Sequence, residues 1–222
     1  MHHVNLIASL AIVFVMAAPA GAATLTTLAS FSGINGSQPY STLVADAAGT
    51  LYGTTVGGGG TVFSLSRAGA LTTLVSFNNA NGLGPYGGLV IDAAGRLHGT
   101  TRSGGPSFGG TLFRVAPDGT FTTLAAFGGG PASGLEPWGT LHADASGTVY
   151  GTTRRGGAYG SGTVFGLAAD GTFTTLHSFV GTAGAEPFGG VIADASGNLC
   201  GTTVGDGAGY PARASVSVRP AA

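Results

Sequence analysis

Three sequence signatures recur in constant order along the chain, and this repetition restricts the possible folds more than any other feature. The first is Thr-Thr-Leu-x-x-Phe, whose phenylalanines lie 46, 50 and 52 residues apart at Phe31, Phe77, Phe127 and Phe179. The second is Gly-Thr-Thr, which starts at Gly53, Gly99, Gly151 and Gly201. The third is a proline followed by an aromatic residue, at residues 39–40, 85–86, 137–138 and 187–188. Such a chain consists of copies of one unit of roughly fifty residues.

Each unit is predicted to contain four short antiparallel strands, which we call a to d in chain order. The strands contain Thr, Val, Phe and Leu at near-alternating positions, as in Thr163–Leu167, and Asp-x-x-Gly or Asp-Gly turns separate them. This combination is typical of strands and hairpins, and no window after residue 22 has the helical period. The prediction is an all-β fold, a β-propeller-like array of four four-stranded units.

The two ends of the repeat region indicate how the array could close. The region begins with a lone strand d at residues 24–31 and ends with strands a and b at residues 187–203. After Thr203 the usual Val-Phe strand is missing, but residues 214–218 alternate as strand c would. Pairing between the N-terminal and C-terminal strands would then close a small propeller.

The units resemble the GloVer tandem repeat of bacterial exported proteins. The residues that carry the resemblance are Tyr-Gly-Thr-Thr, Gly-Thr-Val-Phe, Asp-Gly and Thr-Thr-Leu-x-x-Phe, and together they extend over residues 24–203. What the resemblance implies is an extracellular location, with no established activity.

The N-terminus has the pattern of a signal peptide. An apolar run of 13 residues at 6–18 is followed by small residues, with cleavage options after Ala22 or after Ala20. As a helix this run would cover about 20 Å, which is short of a bilayer core of about 30 Å. We therefore predict a signal peptide at 1–22, one domain of four β-repeat units at 23–203 and an atypical tail at 204–222. The mature chain is expected to be secreted or on the cell surface, without a membrane span.

Composition narrows the classes of partner and chemistry. Charged residues make up 8% of the chain and the formal net charge is −1, so a nucleic-acid partner is not expected. Cys200 is the only cysteine, which excludes an intrachain disulfide. No cofactor and no metal site are predicted, because His98, His142 and His177 occupy three different repeat positions without metal-ligand spacing.

One aspartate recurs at the a–b turn of every unit. For these residues we predict Asx-type turns, in which the carboxylate accepts backbone N–H groups; they are Asp46, Asp92, Asp144 and Asp194. The alternative is calcium, which would need several carboxylates in one loop. Residues 105–109 match Gly-x-Ser-x-Gly, but a nucleophile elbow requires a helix after its strand, and here the segment joins two strands.

The Pro-aromatic positions define the candidate binding site. Because the strands alternate in direction, the long d–a and b–c loops must emerge on one face, and the tight a–b and c–d turns on the other. The aromatic residues begin strand a, the innermost strand of a propeller, and would surround its axis near the loop face. The candidate binding residues are Tyr40, Tyr86, Trp138, Phe188, Glu136, Glu186, Arg154 and Arg155, with Arg102 in a facing loop. The alternative interpretation is that the aromatic residues only pack between units.

Two functions remain open from the sequence. The first is a noncatalytic exported or cell-surface β-repeat module for binding or structure, with a glycan or a surface protein as its partner. The alternative is a secreted propeller enzyme that acts on polysaccharide. An enzyme needs a cluster of titratable residues in a cleft, and the sequence offers only Glu136, Glu186 and the loop arginines. No catalytic residue is assigned.

Overall fold

The computed structural model describes residues 11–15, 25–33, 35–128, 130, 133–182, 184–205 and 213–218. Within these ranges the regular structure is β-strand, apart from one 3-10 turn at Gly57–Gly59. The described residues contain no helix that is long and apolar enough to cross a membrane. The all-β prediction is confirmed.

The strands follow the predicted repeat. Unit 1 contains β3 (Val44–Ala45), β4 (Leu51–Thr55), β5 (Thr61–Leu65) and β6 (Leu71–Ser76). Unit 2 contains β7 (Val90–Ile91), β8 (Leu97–Thr101), β9 (Thr111–Val115) and β10 (Phe121–Ala126). Unit 3 contains β11 (His142–Ala143), β12 (Val149–Thr153), β13 (Thr163–Leu167) and β14 (Phe173–Ser178). Unit 4 contains β15 (Val191–Ala193), β16 (Leu199–Thr203) and β17 (Arg213–Val218), and two further strands precede unit 1, β1 (Ala11–Val15) and β2 (Leu25–Ser30).

The sheets are arranged as in a β-propeller. Units 1 to 3 each form a four-stranded antiparallel sheet in chain order, and unit 4 forms a three-stranded one. Strand a lies at one edge of each sheet. It contacts strand a of the next unit, β3 with β7, β7 with β11 and β11 with β15. Strand a is short, since only two residues of each of β3, β7 and β11 join the ladder.

The core lies between consecutive sheets, and the phenylalanine after strand d is its anchor. Phe77 is 5% exposed and its ring centroid lies 5.0 Å from that of Phe113 in strand c of the next unit. Phe127 repeats this contact with Phe165 at 5.1 Å. Burying each such side chain stabilises the fold by about 2 kcal/mol, so every unit completes the core of its neighbour.

The Gly-Thr-Thr signature is explained by packing within a unit. A Cβ on Gly99 would lie 2.5 Å from Cζ of Phe113 and 2.9 Å from Cδ2 of Leu89, so strand c can cover strand b only at a glycine. The second threonine of the triplet is buried, and its hydroxyl oxygen in Thr101 lies 2.9 Å from that of Thr111. The signature is therefore a structural one.

The two ends of the array differ from the expected closure. Residues 213–218 do act as strand c of unit 4, because β17 pairs antiparallel with β16. Strand β2 pairs with β1 instead of with the C-terminal strand, and no pairing between the described strands joins β2 to β17. Ring closure is therefore not shown. The predicted cleavage after Ala22 lies outside the described residues.

Candidate functional site

The d–a and b–c loops meet on one face, as predicted. Within unit 2 an isolated bridge joins Leu83 of the d–a loop to Ser103 of the b–c loop, and in unit 3 a bridge joins Leu135 to Arg155. The loops of neighbouring units are also connected, since the N–H of Glu136 donates to the carbonyl of Gly109 at 3.0 Å. These backbone contacts make the loop face a continuous, ordered surface.

The four predicted aromatic residues form one row on this face. Tyr40 contacts Tyr86 edge to face at a centroid distance of 5.4 Å, Tyr86 stacks on Trp138 at 4.5 Å, and Trp138 meets Phe188 at 5.6 Å. Tyr40 is 69% exposed, whereas the other three rings are half-buried. The row therefore combines inter-unit packing with one accessible ring at its first position.

The glycine that follows each of the last three aromatic residues lets the backbones of neighbouring units approach closely beneath the row. A Cβ on Gly87 would lie 2.7 Å from the carbonyl oxygen of Gly139, and a Cβ on Gly139 would lie 2.5 Å from that of Gly189. Only glycine permits this approach of one backbone to the next. The aromatic row consequently has a closely packed backbone floor.

Two arginines lie against the row. The guanidinium carbon of Arg102 is 5.1 Å from the ring centroid of Trp138, and that of Arg154 is 4.6 Å from the ring centroid of Phe188. Both distances are within the range of cation–π attraction. Arg102 lies in a loop of unit 2 and Arg154 in a loop of unit 3, whereas their rings begin units 3 and 4. These contacts therefore also connect neighbouring units.

Arg154 joins the two predicted glutamates. Its Nη1 lies 3.3 Å from Glu136 Oε2 and its Nη2 lies 3.1 Å from Glu186 Oε2. Arg155 is 51% exposed and approaches both glutamates more loosely, at 3.9 and 4.0 Å. The four residues form a neutral polar cluster at the Trp138 and Phe188 end of the row, with Glu186 and Arg155 the more accessible members.

Both glutamates have an unusual backbone. The φ angle is 55° at Glu136, 52° at Glu186 and 56° at Gln38, which precedes the first Pro-aromatic pair; the second unit has Gly84 there at 62°. A left-handed residue before proline is disfavoured twice, by its own Cβ and by the proline ring, at a cost of about 1–3 kcal/mol. Such strain is concentrated at functional sites in proteins.

Sequence reasoning missed Phe108. It is 77% exposed and has φ 59°, whereas the corresponding b–c loop positions in units 1 and 3 are Gly58 and Gly160, at 68° and 78°. The Phe108 side chain therefore buries little apolar surface, although its backbone adopts a conformation that favours glycine. Aligning the b–c loops of the units on strand c would have revealed this substitution.

The repeated aspartates form the predicted Asx-type turns on the opposite face. In unit 2, Asp92 Oδ1 accepts hydrogen bonds from the N–H groups of Ala94 and Arg96, both at 2.9 Å. Its Oδ2 lies 2.6 Å from Arg96 Nε and 3.0 Å from His98 Nε2. The same turn occurs at Asp46, Asp144 and Asp194. Among the described residues, no group of three His, Cys, Asp or Glu could hold a metal ion.

The Asp92 cluster is the most strongly perturbed titratable group. Burial raises the pKa of Asp92, but hydrogen bonds from His98 and Arg96 and the charge of Arg96 outweigh it, and the pKa falls from 3.8 to about 2. Burial lowers the pKa of His98, against the attraction of Asp92. This buried pair stabilises one turn and lies away from the loop face. Cys200 occupies the position that corresponds to His98 and is half-buried.

Fold and site together define a propeller-like tandem-repeat protein with an aromatic row and a charged cluster on its loop face. The sequence model of the Gloeobacter/Verrucomicrobia repeat family matches residues 11–141 and 60–212, so the chain belongs to this repeat family. The resemblance seen in the sequence is thereby confirmed. No curated protein matches the chain.

Solved structures share the fold at low identity. The extracellular domain of a protein assigned as a one-component system of B. thetaiotaomicron is 15% identical, with a TM-score of 0.54 over 88% of this chain and 23% of that one. A gluconolactonase from Xanthomonas campestris is 18% identical, with a TM-score of 0.49 over 80% of this chain. The chain spans 61% of that gluconolactonase and 63% of a second protein in the gluconolactonase group.

Proposed function

We propose that this protein is a noncatalytic exported or cell-surface module that binds a glycan on its loop face. The observation that carries the proposal is the aromatic row beside the Glu136–Arg154–Glu186 cluster. A sugar ring has an apolar C–H face and a rim of hydroxyl groups. Aromatic rings suit the first, and carboxylates and guanidinium groups accept from and donate to the second.

The accessible part of the row determines where a ligand would bind. Tyr40 is the most exposed of the four rings, and its phenolic hydroxyl adds a donor and an acceptor. Trp138 has Tyr86 stacked on it and Arg102 over it, so it supports the row more than it contacts ligand. Tyr40 is therefore the proposed anchor, and Glu186 and Arg155 are the proposed polar contacts.

The ion pairs favour binding over catalysis. A glycosidase needs one carboxylic acid that holds a proton for the leaving group. In this protein a side-chain oxygen of each glutamate lies within ion-pair distance of the Arg154 guanidinium. A carboxylate paired with a guanidinium still has oxygens that accept hydrogen bonds from hydroxyl groups, which is the role that we propose for both glutamates.

A glycan array followed by titration calorimetry tests the proposal. Tyr40→Ala should weaken binding of the best array ligand at least about tenfold, the scale expected for a lost aromatic anchor. Tyr159→Ala is the matched control, since Tyr159 is 65% exposed on a b–c loop outside the row. The absence of any glycan ligand, or equal losses in both variants, would overturn the proposal.

The polysaccharide-enzyme alternative has a separate readout. Wild-type protein and Glu136→Gln are incubated with the bound polysaccharide, and new reducing ends are measured. A binding module releases none. Reducing ends that appear with the wild-type protein and vanish in Glu136→Gln would establish the enzyme instead.

Export is part of the same proposal. It is supported by the apolar run at residues 6–18 and the small residues that follow. N-terminal sequencing of protein recovered outside the cell should give a start near Ala23. An intact Met1 form that stays in the cytosol would contradict export without affecting the glycan test.

A further inference from the structure

Two strand edges at opposite ends of the chain match each other. Strand β17 lies at one edge of the unit 4 sheet, and none of the described strands pairs with it there as a strand d. Strand β2 has the sequence of a strand d, because Thr-Leu-Thr-Thr-Leu-Ala-Ser-Phe at 24–31 parallels Ala-Leu-Thr-Thr-Leu-Val-Ser-Phe at 70–77. An open strand edge is a template for another strand. Units 1 to 3 show that strand c takes strand d as its partner.

Strand β1 is bound to β2 in the register of a strand c. Its pairs are Val15 with Leu25, Phe14 with Thr26, Val13 with Thr27 and Ala11 with Ser30. The c–d ladder of unit 1 has Leu65 with Leu71, Ser64 with Thr72, Phe63 with Thr73 and Thr61 with Ser76. In both ladders the register shifts at the central leucine of strand d, Leu28 or Leu74. The four paired residues of β1 thus occupy the places of four residues in β5.

Strand β17 occupies the same place from the other side. It pairs Val218 with Leu199, Ser217 with Cys200 and Val216 with Gly201. The b–c ladder of unit 1 pairs Leu65 with Leu51, Ser64 with Tyr52 and Phe63 with Gly53. Two segments of one chain therefore occupy a strand c position: β17 on strand b of unit 4, and β1 on β2, which has the sequence of a strand d.

The end of β2 is already seated against unit 1. Phe31 is 2% exposed, and its ring centroid lies 4.9 Å from that of Phe63. Phe77 and Phe113 make the same contact between units 1 and 2, at 5.0 Å. Strand β2 therefore lies against unit 1 as strand d of one unit lies against the next. The edge of β2 that β17 would pair with is the edge to which β1 is bound.

We propose that Ala11–Val15 is a removable placeholder for strand c, and that loss of residues 1–22 lets the edge of β2 bind β17 of the same chain. The expected register places Val218 opposite Leu25, Ser217 opposite Thr26 and Val216 opposite Thr27. The same chain is the favoured occupant because Phe31 holds β2 at the array, and a tethered strand competes at high effective concentration. Removal of the leader then completes unit 4 and closes the ring.

Cysteine cross-linking before and after cleavage tests the placeholder. The full chain carries a site-specific protease sequence in place of residues 18–22, with Thr26→Cys and Ser217→Cys in a Cys200→Ser background. Directly opposed residues have the Cα separation that a disulfide requires. The intramolecular disulfide, read by mass spectrometry without reduction, should be at background in the uncut chain and dominate after cleavage.

Two controls fix the interpretation. Ser64→Cys with Thr72→Cys, the corresponding pair in unit 1, should cross-link equally before and after cleavage. Thr26→Cys with Val216→Cys is one residue out of register and should not cross-link, because neighbouring side chains point to opposite faces. Equal cross-linking of the two β2–β17 pairs would overturn the proposed register.

A second variant releases β2 without cleavage. Val13→Pro together with Phe14→Pro removes two consecutive backbone donors from β1, and one of them faces β2. The Thr26–Ser217 disulfide should then form in the uncut chain. A disulfide between two chains, cross-linking that does not change on cleavage, or amides at 25–30 that lose hydrogen-exchange protection after cleavage would each overturn the proposal.

Discussion

The buried carboxylate of Asp92 should make folding stability depend on pH in a defined window. The pKa of Asp92 is about 2 in the folded protein, against 3.8 for an ordinary aspartate. Because the folded pKa is the lower one, the stabilisation is complete above pH 4 and is lost as the pH falls toward 2. A difference of nearly two pKa units corresponds to about 2 kcal/mol. The side chain of Asp92 is 2% exposed, so solvent screening is small.

Urea unfolding of the wild-type protein and Asp92→Asn at pH 5, 4, 3 and 2 measures this contribution. Asparagine keeps the shape of the turn and does not titrate. The free energy of unfolding of the variant should be lower at pH 5, and the gap should shrink by about 2 kcal/mol by pH 2. Asp118→Asn is the control, because Asp118 is exposed and hydrogen bonds from Thr120 lower its pKa without an arginine or histidine partner among the causes, so its gap should change less with pH. A gap that stays constant from pH 5 to 2 would refute the reasoning.

Two further predictions concern glycine positions. Gly99→Ala should lower the free energy of unfolding by about 1–3 kcal/mol, because the new Cβ overpacks strand c. Gly130→Ala is the control and should be nearly neutral, because nothing lies within 4 Å of its added Cβ. Equal losses of stability in urea unfolding of the two variants would disprove the packing argument. Phe108→Gly should raise stability by about 1 kcal/mol, since it relieves a left-handed backbone at an exposed side chain; a lower melting temperature would show that Phe108 packs in the folded state.

The fold was largely predictable because the repeated residues are those that strands and tight turns require. Strand c of unit 3 was predicted at the residues where the structure has it, Thr163–Leu167. The Asp-x-x-Gly pattern predicted the turns, because the hydrogen bonds of the carboxylate and the positive φ of the glycine both lie within the turn itself. Pairing between the chain ends was not predictable, because β1 and β17 both fit strand c and no local rule decides between them.

The candidate site was predictable in position but not in accessibility. The alternation of strand direction was enough to place Tyr40 and Glu136 on one face. Which ring is exposed depends on inter-unit packing that only the assembled sheets show: Trp138 is half-buried, whereas Tyr40 is 69% exposed. The left-handed φ of Glu136 was hidden because proline usually imposes the opposite conformation on its predecessor.

The glycine floor beneath the aromatic row has a consequence for the kind of polymer that could be recognised. Because the backbones of Gly87 and Gly139, and of Gly139 and Gly189, lie in close contact, no opening passes between these neighbouring units, and a glycan at the proposed site would lie across the row. Every internal stretch of a regular polysaccharide then offers an equivalent position, and a blocked terminus makes no difference. Several protein molecules could bind along one polysaccharide molecule. A surface that carries many copies of the protein would then bind a long polysaccharide far more tightly than one copy does.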